Sequence, residues 1–157
     1  MIQKIVNQFK IRKLIYIPVI ITILIGYIIA GLSSDIEVYH VYKILPVFVI
    51  YTDNINGGDE GRIKGPLIFI RKRSKGNEII LRHELIHSKQ SYRYFCFHWV
   101  PMLFSDRMLA KMESEAYSIE IKRKEDIPNW ALFIKEEYNL SLTQEEIESY
   151  ILYYWKN

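Results

Sequence analysis

The stretch His83-Glu84-Leu85-Ile86-His87 reads HELIH, and the rest of the chain is organised around it. Residues four positions apart lie on the same face of an α-helix, so the two histidines can hold one metal ion. Zinc suits two neutral imidazoles plus a carboxylate, with a further position left to water. Glu84 follows His83 directly and therefore points to the side of the metal, where a general base for an activated water must stand.

The sequence before this motif predicts a strand followed by a helix. The run from Pro66 to Lys72 is apolar and rich in β-forming residues, and 74–77 then breaks the chain. Asn77 is suited to cap a helix N-terminus, and Glu78 lies in the first turn, where the helix dipole favours an anion. We expect a helix from Asn77 to about Tyr94. A strand before such a helix would let an extended peptide lie along the sheet edge beside the metal.

A third ligand is expected from the stretch Met112 to Tyr117, which reads MESEAY. Ser105 or Asp106 can cap a helix through this stretch, and Glu113 lies beside its apolar stripe, as an inward-pointing ligand should. Glu115 is the rival candidate for the same role.

HELIH followed by Glu113-Ser-Glu-Ala116 resembles the gluzincin zinc metallopeptidases, in which a second helix carries E-x-x-A and supplies the glutamate ligand. The form HELIHxxQ…ExEAY is also similar to small HExxH proteins of bacteria and phages. The resemblance covers residues 66–124. It implies Zn²⁺ as cofactor, His83, His87 and Glu113 as its ligands, and hydrolysis of a peptide or protein substrate with Glu84 as general base.

Several residues are candidates to support this chemistry. Gln90 falls seven residues after His83, on the same helix face, and could orient a ligand or touch substrate. Tyr117 stands where many gluzincins have an Asp or Asn that bonds a zinc histidine. A zinc peptidase also needs a hydrogen-bond donor for the oxyanion. The sequence leaves His98, Tyr92, Tyr94 and Tyr117 open for that role.

Composition bounds the remaining possibilities. A chain of 157 residues allows one domain with a modest core. The net charge of +3 is too small to indicate a nucleic-acid partner. The single Cys96 excludes an internal disulfide and a cysteine-based zinc cluster.

The N-terminal segment predicts a membrane anchor. Leu14 to Leu32 carries no charge and is long enough to span a bilayer as a helix, so we expect a transmembrane helix over 14–34. A cleaved signal peptide is the alternative. Residues 1–13 are basic, and the positive-inside rule places them in the cytoplasm. The domain at 36–157 would then lie on the extracytoplasmic side of a single-pass membrane protein.

The rest of the chain predicts an α+β fold. Val47 to Tyr51 is expected to form a strand and 53–65 a loop. Asn129 begins a helix to about Tyr138, and a Thr143 capping box precedes a helix over 144–155. We therefore predict a transmembrane helix followed by a small zincin-like domain with a short sheet of two or three strands and about four helices. The alternative function is a non-catalytic, membrane-anchored interaction protein, either stapled by zinc or free of metal.

Overall fold

The computed structural model describes residues 35–55, 60–94 and 105–155, together with 20, 21, 23–25 and 28. Within these ranges a four-stranded sheet precedes four α-helices. The α+β part of the predicted fold is confirmed, and the sheet has more strands than the two or three expected.

The sheet places a short strand at its edge. The strands are β1 (Ile36–Val41), β2 (Leu45–Tyr51), β3 (Gly61–Lys64) and β4 (Leu67–Ile70). Their order is β1-β2-β4-β3, with β2 and β4 parallel and the other two pairs antiparallel. Strand β3 lies in the predicted loop 53–65. Its sequence GRIK has too few apolar residues to indicate a strand, and its hydrogen bonds to β4 fix it instead.

The four helices are α1 (Glu78–Arg93), α2 (Asp106–Tyr117), α3 (Ile127–Glu137) and α4 (Gln144–Trp155). The predicted caps are confirmed. Asn77 Oδ1 accepts the Ile79 N–H at 3.1 Å, and the Ser105 hydroxyl accepts the Met108 N–H at 3.3 Å. Such caps each stabilise a helix by about 1 kcal/mol.

The last two helices agree with the expected starts to within two residues. Thr143 and Glu146 form the reciprocal capping box, with hydrogen bonds of 3.0 and 3.2 Å. Helix α3 begins at Ile127, two residues before the predicted start, because Pro128 fits a first helical turn.

Two apolar clusters hold these elements together. In the first, Val47, Val49 and Ile68 of the sheet pack beneath Leu81 and Leu85 of α1. The second joins α2, α3 and α4 through buried residues that include Ala110, Ile134, Ile147 and Ile151. Helices α1 and α2 also contact one another, which brings the two clusters side by side.

The structure corrects the predicted transmembrane helix. Among the described residues, no helix combines the length and the apolar character needed to cross a membrane. The longest, α1, has 16 residues, whereas a crossing takes about 20 consecutive apolar residues. Most of the predicted span 14–34, and all of the tail 1–13, lie outside the described residues. The predicted single-pass topology and the location derived from it are corrected together with the helix.

Candidate metal centre

Helices α1 and α2 bring three predicted ligands to one point. His83 Nε2 and His87 Nε2 lie 3.1 Å apart, one turn from each other on α1. Glu113 Oε2 on α2 lies 3.5 Å from His87 Nε2 and 3.9 Å from His83 Nε2. His87 and Glu113 are buried, and the His83 side chain is 12% exposed.

The separations suit zinc. Two ligand atoms at ordinary zinc distances and tetrahedral angles lie about 3.3 to 3.4 Å apart. The three donor atoms here lie within 4.8 Å of one another, and two of the three pairs are closer than 3.6 Å. Two imidazole nitrogens with one carboxylate oxygen is also a ligand set used by catalytic zinc sites. The donor atoms therefore fit zinc in both type and spacing.

Each imidazole is held in the form that can bind a metal through Nε2. His83 Nδ1 lies 3.1 Å from Glu120 Oε1, and His87 Nδ1 lies 2.8 Å from Gln90 Oε1. Carboxylate and amide oxygens only accept hydrogen bonds, so each Nδ1 must carry the proton and donate it. The Nε2 lone pairs are thereby directed towards Glu113.

The electrostatics of the cluster favour a positive charge between the ligands. Burial by itself would lower the pKa of His87, but the carboxylates of Glu113 and Glu84 and the bond to Gln90 raise it to about 9. Burial would raise the pKa of Glu113, but His87 and the hydroxyl of Tyr138 lower it. The carboxylates that hold this extra proton on His87 would equally stabilise a metal ion that displaces it from Nε2.

A tyrosine that the sequence did not indicate completes the cluster. Tyr138 directly follows the last residue of α3, and its hydroxyl donates a hydrogen bond of 2.8 Å to Glu113 Oε2. Burial and the adjacent carboxylate of Glu113 raise the pKa of Tyr138, so the hydroxyl keeps its proton. Tyr138 is far from HELIH along the chain, so no sequence motif linked it to the metal site. Glu120 lies in the turn after α2 ends at Tyr117, so helical spacing did not indicate it either.

Glu84 lines the same cavity as the two histidines. It is buried on α1 and lines a cavity of about 720 Å³ together with His83 and His87. Residues 60–63 of the edge-strand segment form one wall of this cavity, and Tyr117 and Tyr138 contribute to another. The carboxylate of Glu84 packs against Gly61, where a Cβ atom would lie 2.8 Å from Glu84 Cδ.

The remaining predicted site residues occupy different places. The Tyr117 ring meets the His83 ring edge-on, with centroids 4.5 Å apart, and lines the cavity. Tyr92 donates to the carbonyl of Pro46, and Tyr94 contacts the sulfur of Met108 at 3.7 Å.

Of the other two predicted residues, the structure describes only Glu115. Glu115 lies outside the three-residue group, with its carboxylate bonded to Gln90 and Arg93. His98 lies outside the described residues.

Comparison with protein families, with curated proteins and with solved structures finds no match for this chain. Its geometry and chemistry are therefore the basis for a functional assignment.

Proposed function

We propose that this protein is a zinc-dependent peptidase. The observation that carries the proposal is the convergence of His83 Nε2, His87 Nε2 and Glu113 Oε2, with Glu84 in the same cavity. The motif resemblance to gluzincins supports the reaction class. When bound, zinc would lower the pKa of a water molecule and polarise the substrate carbonyl.

Glu84 is the general base in this proposal. It accepts a proton from the attacking water and later gives it to the leaving amine. Gly61 leaves the space in which its carboxylate lies, because even one methyl group there would overlap Glu84. Because Gly61 has no side chain, the edge strand β3 can pack directly against the Glu84 carboxylate.

Tyr138 is the best-placed donor for the negative charge that develops on the carbonyl oxygen. Without a metal, its one hydroxyl proton is donated to Glu113 Oε2 at the wall of the cavity, which Tyr117 also lines. In this proposal zinc would bind that oxygen, and the Tyr138 hydroxyl would turn to the carbonyl oxygen instead. A preorganised donor of this kind contributes about 3 to 4 kcal/mol to catalysis. Tyr92 bonds to the Pro46 carbonyl and Tyr94 to the Met108 sulfur, so Tyr138 is favoured over both as the oxyanion donor.

An edge strand beside the cavity supports a peptide as substrate. Strand β3 is an edge strand of the described sheet, and its residues Gly61 to Ile63 line the cavity beside Glu84. An extended peptide can pair with the backbone of such an edge strand. This would lay a peptide bond along the wall that faces the three ligands.

The test compares full-length wild type with Glu84→Gln, each loaded with zinc. A mixed library of quenched fluorescent peptides serves as substrate, because the cleavage preference is not defined. We expect the wild type to cleave and Glu84→Gln to lose at least 100-fold in rate while keeping its zinc. Glu78→Gln, on the exposed first turn of the same helix, is the matched control and should cleave normally. Equal cleavage by Glu84→Gln and wild type would overturn the proposal.

The rival function is a non-catalytic protein in which zinc staples α1 to α2. The ligands do come from two helices, so metal binding would stabilise their contact. A zinc-loaded wild type that cleaves no peptide of the library, and whose unfolding temperature falls on zinc removal, would favour this function.

A further inference from the structure

A chain of hydrogen bonds, buried at its start, leads from His87 to the surface. Gln90 is fully buried, and its Oε1 accepts from His87 Nδ1 at 2.8 Å. Its Nε2 donates to the Met112 carbonyl at 2.9 Å and to Glu115 Oε2 at 3.0 Å. Arg93 then holds the Glu115 carboxylate with two bonds of 3.2 and 3.3 Å. The chain therefore runs from the ligand to a surface arginine.

These partners fix which way the Gln90 amide faces. The Met112 carbonyl and the Glu115 carboxylate are both acceptors, so both require the NH₂ group. A flipped amide would set its oxygen against two acceptors and its NH₂ group against His87. Leaving these buried groups unpaired is unfavourable, so the amide does not flip freely.

The direction of Gln90 decides the state of His87. Because Oε1 faces Nδ1, the imidazole is held with its proton on Nδ1 and its Nε2 lone pair towards Glu113. A flipped Gln90 would favour the other tautomer, in which Nε2 carries the proton and cannot bind a metal.

We propose that Glu115 is a positioning residue that sets the zinc affinity of the site through Gln90 and His87. The proposal rests on the metal site of the proposed function but not on peptidase activity. It gives the second glutamate of MESEAY a role different from that of a ligand. Two observations carry it: Glu115 supplies one of the two acceptors that orient Gln90, and it lies outside the group of converging donor atoms.

Three variants of the full-length protein separate this role from a simple ion pair. Glu115→Ala removes the acceptor, Glu115→Gln keeps an oxygen acceptor for Gln90, and Arg93→Gln removes only the ion pair. Zinc affinity is measured by competition with a chelating dye, and the unfolding temperature of the metal-free proteins reports general damage. The loss of such an outer partner typically weakens metal binding about 10- to 100-fold.

We expect Glu115→Ala to weaken zinc binding by at least 10-fold, and Glu115→Gln and Arg93→Gln to stay within about threefold of wild type. Long-range ¹H–¹⁵N spectra of the zinc-loaded wild type and Glu115→Gln should show a protonated His87 Nδ1. Wild-type zinc affinity in Glu115→Ala would overturn the proposal, and so would an equal loss in Arg93→Gln. Failure of the wild type to bind zinc would overturn it together with the metal site. Zinc binding without peptide cleavage would contradict only the peptidase function.

Discussion

Gly61 of strand β3 packs so closely against Glu84 of helix α1 that no side chain fits at position 61. A Cβ atom on Gly61 would lie 2.8 Å from Glu84 Cδ and 2.9 Å from Glu84 Cγ. Real Cβ atoms do not approach other atoms this closely, so the carboxylate or the strand would have to move. The position of the proposed general base is thus set by a residue on another element.

The first prediction follows from this contact. Gly61→Ala should reduce peptide cleavage at least 100-fold, because a shift of about 1 Å in a catalytic group can lower the rate by that factor. Its zinc content should remain at the wild-type level, because Gly61 is on strand β3 and supplies no donor atom to the metal site. Lys64→Ala, at an exposed position of the same strand, is the control and should keep wild-type activity. Full activity in Gly61→Ala would contradict the proposed position of the base.

The second prediction concerns the hydroxyl of Tyr138. Tyr138→Phe removes the donor but keeps the ring. In protein saturated with zinc, kcat should fall about 100- to 1,000-fold with little change in KM, and zinc affinity should also weaken because Glu113 loses a hydrogen-bond partner. Steady-state kinetics on a peptide selected from the library provide the measurement. Tyr153→Phe, on the exposed face of α4, should behave as wild type. A rise in KM at unchanged kcat would assign Tyr138 to substrate binding instead.

The third prediction concerns the partner of His83. Glu120 Oε1 accepts from His83 Nδ1, so Glu120→Ala should weaken zinc binding about 10- to 100-fold. Glu120→Gln keeps an oxygen that can accept this bond, and it should lose less affinity than Glu120→Ala. Isothermal titration of the metal-free proteins with zinc would measure both. Equal affinities in wild type and Glu120→Ala would show that His83 needs no such partner.

The fourth prediction is a pH dependence at the base of the edge strand. Hydrogen bonds from Arg73 and Ser74 lower the pKa of Glu60 to about 2. The unfolded-state pKa is near 4.5, so the contribution of this carboxylate to stability is present above that pH and is lost as pH falls towards 2. NMR titration of the Glu60 carboxyl carbon should give the low midpoint. In Arg73→Ala the midpoint should move towards 4.5, and an unmoved midpoint would contradict the assigned cause.

The sequence was sufficient to predict the parts of the site that depend on local spacing. The helical periods place His83 with His87, and the caps at Asn77 and Ser105 define where the two ligand helices begin. These features depend on neighbours within a few residues, so a single sequence contains them. The prediction of Glu113 as the third ligand also required the resemblance of MESEAY to the second ligand helix of gluzincins.

The parts that the sequence did not predict depend on contacts between distant segments. Tyr138 reaches Glu113 only because α3 packs against α2, and Gly61 matters only because β3 lies against α1. The role of Gln90 was left open because its orientation depends on Glu115 and Met112 of another helix. The predicted transmembrane helix rested on the apolar composition of 14–34 alone, and no helix among the described residues is long and apolar enough to cross a membrane.

The most direct test of the metal site is the zinc content of the purified full-length protein, measured by elemental analysis without chelating steps. We predict about one zinc per chain in the wild type and in Glu78→Gln. We predict that Glu113→Ala loses the metal while it keeps its secondary structure by circular dichroism. A folded wild type without zinc, even after incubation with the metal, would contradict the account, as would a Glu113→Ala variant that keeps its zinc.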